Sequence, residues 1–325
     1  MRLQRMLLVA TALVVIALWI AFLIAGLRIP AEWATAVRGG GMVDGRVILP
    51  PFPALTSVAT YPANTPTLDL RTHYYLLGSD AGGRDLLALT ARGALPSFEL
   101  VAVALGARML LGLVAGVGMA SRIAALRTAV RAAGNWVAGF PYLALAVLVI
   151  QAFTGGPDAT SASTRVRIIG FVVAIGIVGW RDIAEVVASR AEWVRTQSFA
   201  MGAAAVGTSG FGFFRRHVWP YLRPALMVEL SFQASAVLVL LAELGFLQYY
   251  IGGFTGIAED LGLGTSTAYH LANQPELGQL LADARIYTLR QELLPALVPA
   301  MALALAALAF ELLGRAFRGR ADLPA

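Results

Sequence analysis

The sequence predicts an all-α integral membrane protein with six transmembrane helices, and three observations carry that prediction. Of its 325 residues 58% are hydrophobic and only 14% charged, against roughly 25% charged in soluble domains. Uncharged apolar runs recur along the chain at lengths that suit a bilayer. Arginines gather in the segments that every second run leads into, as the positive-inside rule requires of the cytoplasmic face.

Taken in order, Met6 to Leu27 is 22 residues without a charge, enough to cross about 30 Å of hydrocarbon. Arg2 and Arg5 precede it. Its apolar core is longer than that of a cleaved leader, so it reads as a retained first span with the N-terminus inside. A second span runs from about Pro96 to Met119 and contains Glu99 and Arg108. The third, Ala132 to Phe153, should kink at Pro141, where a backbone donor is missing. Ile168 to Trp180 offers only 13 clean apolar residues and continues towards Ile183, which places Arg181 and Asp182 near an interface. Ala225 to Leu247 is the fifth span, and Leu293 to Leu313, entered through Pro295 and Pro299, the sixth.

Six spans with the N-terminus inside put three arginine clusters in the cytoplasm. They are Arg122, Arg127 and Arg131; Arg190, Arg195, Arg215, Arg216 and Arg223; and Arg315, Arg318 and Arg320. Both termini are then cytoplasmic. Outside lie a Pro-, Gly- and Thr-rich segment from Arg28 to Leu95, a short loop between Thr154 and Thr164, and a Gly-rich stretch from Gln248 to about Thr288. The domain plan is an N-terminal helix over 1–27, an extracytoplasmic segment over 28–95 and a transmembrane domain over 96–325. That last domain holds a polar loop at about 190–223.

Composition also excludes. All 25 basic residues are arginine, and a P-loop needs a lysine at the phosphates, so the chain carries no Walker-type ATP site. Without cysteine, and with only His73, His217 and His270, it has no disulfide, thiolate or cysteine-metal chemistry. No cofactor is called for. The net charge of +6 is spent flanking apolar runs, a membrane use rather than a nucleic-acid one.

The polar loop is the most distinctive segment. From Phe199 to Pro220 it reads FAMGAAAVGTSGFGFFRRHVWP. Small residues, Gly207, a short aromatic and basic stretch and then Pro220 make a docking element, because tiny side chains admit a partner's backbone. An ordinary connector in a helical bundle takes about 2 to 8 residues, and this one is far longer. Phe199, Met201, Gly202, Ala203, Gly207, Phe213, Arg215, Arg216, His217 and Pro220 are its candidate contact residues. His217 has no second ligand at useful spacing and reads as a surface contact rather than a metal ligand.

This loop resembles the cytoplasmic coupling loop of ABC importer permeases. Their pattern is Glu-Ala-Ala, three residues, Gly, nine residues, a hydrophobic residue, one more, then Leu-Pro. Met201-Gly202-Ala203, Gly207 and His217-Val218-Trp219-Pro220 fall at that spacing, with Met201 in place of the Glu, Gly202 of an Ala and Trp219 of the Leu. The chain is most similar to the second permease of dipeptide, oligopeptide and nickel importers, from about Leu76 to the C-terminus. Leu77-Gly78-Ser79-Asp80-Ala81-Gly82-Gly83-Arg84-Asp85 is similar to a run before the second span of those subunits. Phe140-Pro141, Trp180, Leu244-Gly245-Phe246-Leu247, Pro275-Glu276-Leu277-Gly278 and Ala309 to Arg315 also fall on family positions.

The resemblance implies a type I importer core in a bacterial or archaeal cytoplasmic membrane. It also implies a homologous second permease, two ABC ATPase subunits below and an extracytoplasmic solute-binding protein above. This chain would form a wall of the path for peptides or a similar small solute and perform no hydrolysis. Gly78, Asp80, Gly83, Arg84 and Asp85 form the outer motif, where Ser79 or Asp80 would cap a helix. Glu99, Arg108 and Glu243 are candidates for the pathway, since ionisable groups inside spans are costly and face a cavity or a partner. Glu229 and Glu311 read as interfacial. An ion-coupled secondary transporter and a non-transporting scaffold are the rival readings; the first would call for inverted repeats and broken mid-membrane helices, neither of which the sequence displays.

Overall fold

The computed structural model describes residues 2–37, 39–62, 69–156, 163–208, 210–260, 266–272 and 275–321. The expected loop between Thr154 and Thr164 lies largely outside them, as does part of the Gly-rich stretch after Gln248. So do the side chains of Arg2, Arg5 and Arg320.

The chain opens with α1 (Arg2–Arg28) and then forms four strands, β1 (Gly41–Val43), β2 (Arg46–Ile48), β3 (Thr56–Thr60) and β4 (Arg71–Tyr75). They pair antiparallel in the order β2-β1-β3-β4. Asp44 and Gly45 both have positive φ between β1 and β2, the two-residue turn that suits a twisted hairpin. One sheet face buries Val58 and Tyr75 against Trp33 and Phe52. Thus the segment expected only as an outer stretch rich in Pro and Gly is a small β unit with its own core.

Helix α2 (Leu86–Met119) follows, then α3 (Ala124–Ala138), α4 (Tyr142–Thr154) and α5 (Thr164–Thr196). After them come α6 (Ser198–Ala205), α7 (Gly210–Phe213), a π-helical turn at Phe214–Val218 and α8 (Trp219–Phe246). A hairpin of β5 (Phe254–Asp260) and β6 (Ser266–Ala272) leads to α9 (Ala284–Leu289) and α10 (Leu294–Ala321).

Among the described residues four helical segments are long and apolar enough to cross a membrane: Met6–Arg28, Leu86–Met119, Gly210–Phe246 and Leu294–Arg318. The third expected span is not one helix. It divides into α3 and α4, bent by 97°, and counts as a fifth span only if the two arms are taken together. Gly139 ends α3 and Pro141 stands just ahead of α4. Proline removes a donor and turns the preceding Phe140 away from helical geometry, so the expected kink is a full break. The fourth expected span lies inside the 33-residue α5, whose apolar character Arg181, Asp182 and Glu185 interrupt.

Close packing depends on small residues. A Cβ on Gly112 would lie 2.5 Å from Ile183 Cβ, and one on Gly116 would lie 2.5 Å from Val187 Cβ. The two glycines, four apart, let α2 and α5 approach backbone to backbone. Helix α1 joins α10 through Ala12 and Val15 against Ala309 and Leu312, and Trp19 Nε1 donates to Ala302 O at 3.0 Å. The central core gathers Val101, Ala104, Phe171, Val178, Leu238 and Leu303 from α2, α5, α8 and α10.

Candidate functional site

At the end of the bundle away from the sheet, Met119 and Ala120 pack against Ala188, Val194, Ala200 and Val218. Arg195 Nη1 donates to Ala120 O at 2.5 Å. This seats the polar loop on the ends of α2 and α5. Gly207 has a φ of +85° and turns the chain between α6 and α7, a conformation that costs a side-chain-bearing residue about 1–2 kcal/mol. An added Cβ at Gly202, Gly207, Gly210 or Gly212 would meet nothing within 4 Å. The glycines therefore serve no packing inside this chain.

Around them Met201, Val206 and Phe211 are exposed by 60%, 82% and 77%. A groove of ≈960 Å³ runs between this loop and the α2 end, with Ala120, Arg122, Met201 and Phe211 on its walls. The aromatic residues form a connected patch: Phe199 stacks on Tyr221 at 5.8 Å, and Phe213 lies 5.2 Å from the His217 ring. His217 is thus set among aromatic rings. Arg215, Arg216 and Pro220 are exposed and Ala203 is half-buried.

At the sheet end, the outer motif is a buried knot. Asp80 accepts from the backbone N–H of Gly82 at 3.0 Å and of Arg84 at 2.9 Å, and from Arg84 Nε at 2.6 Å. Asp85, fully buried, accepts from Ala88 N at 2.9 Å and meets His73 Nε2 at 2.9 Å. The helix cap is therefore Asp85, not Ser79 or Asp80. Ser79 instead accepts from Phe52 N at 2.7 Å. Gly78 and Gly83 both have positive φ, and the Gly83 carbonyl accepts from the Tyr75 hydroxyl at 2.9 Å. Burial, with the charges of Asp85 and Asp80, pushes that hydroxyl well above the usual tyrosine range. The motif thus ties the β unit to the first turn of α2.

Midway along the bundle lies a polar network that sequence reading divided among unrelated residues. Arg108 on α2 is 2% exposed. Its Nε donates to Ile175 O at 2.8 Å and its Nη1 to Gln233 Oε1 at 2.7 Å. Gln233 Nε2 in turn donates to Glu229 Oε1 at 2.8 Å and lies 3.5 Å from Asp182 Oδ2, which also accepts from the Tyr142 hydroxyl at 3.0 Å. Helices α2, α4, α5 and α8 all contribute. Arg108 therefore reaches its acids through a neutral amide, and Glu229, expected at an interface, is part of the network. Glu99 and Glu243 are exposed on this chain and stand apart from it.

Glu276 is the residue that sequence reading quoted without assigning. It is buried and accepts from Gly278 N at 3.2 Å and Gln279 N at 3.0 Å, with Ser97 Oγ at 3.4 Å. Burial outweighs those bonds and raises its carboxyl to about 7. The sequence signal was a lone acid between Pro275 and Leu277.

The fold is that of a mostly α-helical membrane protein with several helices long and apolar enough to cross a bilayer. The chain has no cysteine, and among the described residues no group of three or more His, Asp or Glu could hold a metal. No family model matches the chain. It is 24% identical over 301 residues to the dipeptide transport system permease protein DppC of Alkalihalophilus pseudofirmus, a stretch that spans 88% of this chain and 85% of that relative. The similarity is distant and runs nearly end to end, and with the membrane-length helices it supports a general role in membrane transport.

Proposed function

We propose that the chain is the permease subunit of an ABC importer, and that it forms the translocation pathway for peptides or a similar small solute with a homologous second permease. Two separate ATPase subunits drive it and an extracytoplasmic solute-binding protein feeds it. It resides in a bacterial or archaeal cytoplasmic membrane with both termini in the cytoplasm. Residues 190–223 carry the coupling loop, and Glu99, Arg108 and Glu243 are pathway candidates. ATP binding and hydrolysis in the partners would move the loop and switch the path between two states.

The observation that carries this reading is the loop itself. Its glycines are open, Met201, Val206 and Phe211 are exposed, and its base is firmly seated on α2 and α5. Such a surface is built to be covered from outside the chain. The similarity to a dipeptide permease agrees with it.

The test is to purify the tagged chain from its host in mild detergent, identify what accompanies it and assay ATP hydrolysis. A second permease with P-loop ATPases, and no hydrolysis by the chain alone, is the expected result. Gly207→Leu should leave that complex assembled but abolish uptake. Recovery of the chain alone under conditions that preserve known complexes, or full uptake by the variant, would sink the proposal.

A further inference from the structure

Helix α3 touches the bundle along one narrow edge, and Gly134 alone of its 15 residues is buried. Its direction follows from α4. That helix runs antiparallel along α5, with the Tyr142 hydroxyl on Asp182 near one end and Phe153 against Gly170 near the other. Bent from α4 by 97°, α3 therefore lies across the bundle. A Cβ on Gly134 would be 3.3 Å from Met119 Cε, which sets the crossing at the level where α2 ends.

The sequence of α3 divides by face. Leu126, Val130, Ala133 and Val137 recur at helical spacing on one side, joined by Ala129 and Trp136, while Arg127, Thr128, Arg131 and Asn135 take the other. This is the pattern of a helix that rests in the interface between water and bilayer with its apolar side towards the hydrocarbon. The surroundings agree with it. Leu126 and Val130 form one wall of an apolar groove of ≈560 Å³, completed by Leu111, Val114 and Trp180 of α2 and α5, and Val114 is 67% exposed. The apolar face of α3 thus continues into an open apolar surface on α2. Trp136 is 75% exposed, an aromatic anchor of the kind enriched at headgroup depth.

Charge narrows the choice of lipid. No acid occurs between Glu99 and Asp158. Arg131 is paired with Glu192 at 3.0 Å, whereas Arg122 and Arg127 have no ion pair among the described residues. Two uncompensated cations beside an apolar face fit an anionic headgroup.

We propose that α3 lies in the membrane interface and binds anionic phospholipid, with Arg122 and Arg127 on the phosphates and acyl chains in the groove beside Leu126 and Val130. On the orientation proposed above this is the cytoplasmic leaflet; depth and charge preference would read the same in either.

Because the chain has no cysteine, Thr128→Cys, Ala129→Cys, Ala133→Cys and Asn135→Cys can each carry one spin label on the full-length chain in vesicles of phosphatidylcholine and phosphatidylglycerol. Relaxation by oxygen and by a water-soluble nickel chelate should place positions 129 and 133 at one shallow depth and 128 and 135 in water. Depth that increases steadily along the helix, by about 1.5 Å per residue, would make α3 part of a span and overturn the proposal. Labels shielded from both probes would overturn it too, in favour of a second copy of the chain on this face. A fluorophore on Ala125→Cys, quenched by brominated lipids, reads the headgroup preference. Association about 30-fold stronger with phosphatidylglycerol than with phosphatidylcholine is expected, from two arginines at about 1 kcal/mol each, and Arg122→Gln with Arg127→Gln should remove it. Equal quenching by the two lipids while both arginines are present would refute the anionic preference.

Discussion

Replacing Gly116 by Ala adds one methyl group where α2 meets α5. That carbon would sit 2.5 Å from Val187 Cβ and 2.8 Å from the carbonyl oxygen of Ala184. Carbon contacts are comfortable at about 3.5–4.0 Å, so the helices must part by about 1 Å. The obstacle includes backbone, which no rotamer change can clear. Overpacking of this kind costs about 1–3 kcal/mol, partly offset by up to ~1 kcal/mol of helix propensity gained over glycine. Gly106 on the same helix provides the control, because a Cβ there meets nothing within 4 Å. Gly106→Ala should gain the propensity term alone and melt at or above wild type. Gly116→Ala should melt below it, separated from the control by about 2 kcal/mol. Thermal unfolding of the three purified chains in one detergent reads this directly. Equal midpoints for the two variants would refute the close approach of α2 and α5 at Gly116.

Gln233→Leu strands both Arg108 Nη1 and Glu229, and should cost about 2–3 kcal/mol. The double change with Arg108→Met should recover much of that loss in a melting assay, because the buried charge goes with its partner. Asp85→Ala removes the cap of α2 and the His73 contact. A loss of about 1–2 kcal/mol is expected, largely spared in Asp85→Asn, with hydrogen exchange rising first in the Leu86 turn. Glu276 adds a pH dependence. Its carboxyl lies at about 7 in the fold against 4.5 ordinarily, so the folded state holds a proton that the unfolded state has released. Stability should therefore fall as pH rises from about 4.5 to about 7, and Glu276→Gln should flatten that slope in melts across the range.

How much was legible follows from the range of each signal. The helices at 6–28 and 294–318 announce themselves by long apolar runs, a local property. The break at Pro141 was visible as a kink, but its 97° size depends on how each arm packs. The β unit was missed although Asp44-Gly45 is a strong hairpin signal, because strands of three to five residues carry little pattern. Asp85 rather than Ser79 caps α2, since the chain turns at Gly83 between them before the helix begins. The loop from Phe199 to Pro220 stood out because a long polar, small-residue segment between apolar runs is a local property of composition. Arg108 could be flagged as a buried cation, yet its partner Gln233 is 125 residues away. Only the crossing of α2 with α8 brings them together, and no periodicity encodes that.

Helix α2 begins at the Asp85 cap beneath the β unit and ends at Met119, against the base of the polar loop. At 1.5 Å per residue its 34 residues make a rod of about 51 Å. The sheet and the polar loop are thus fixed to opposite ends of one rod. Pro96 is its single proline and breaks one rung of the hydrogen-bond ladder near the sheet end. On the function proposed above, a displacement of the loop would reach the sheet within the same helix, reduced by the flexure Pro96 absorbs, with no relay of side chains in between.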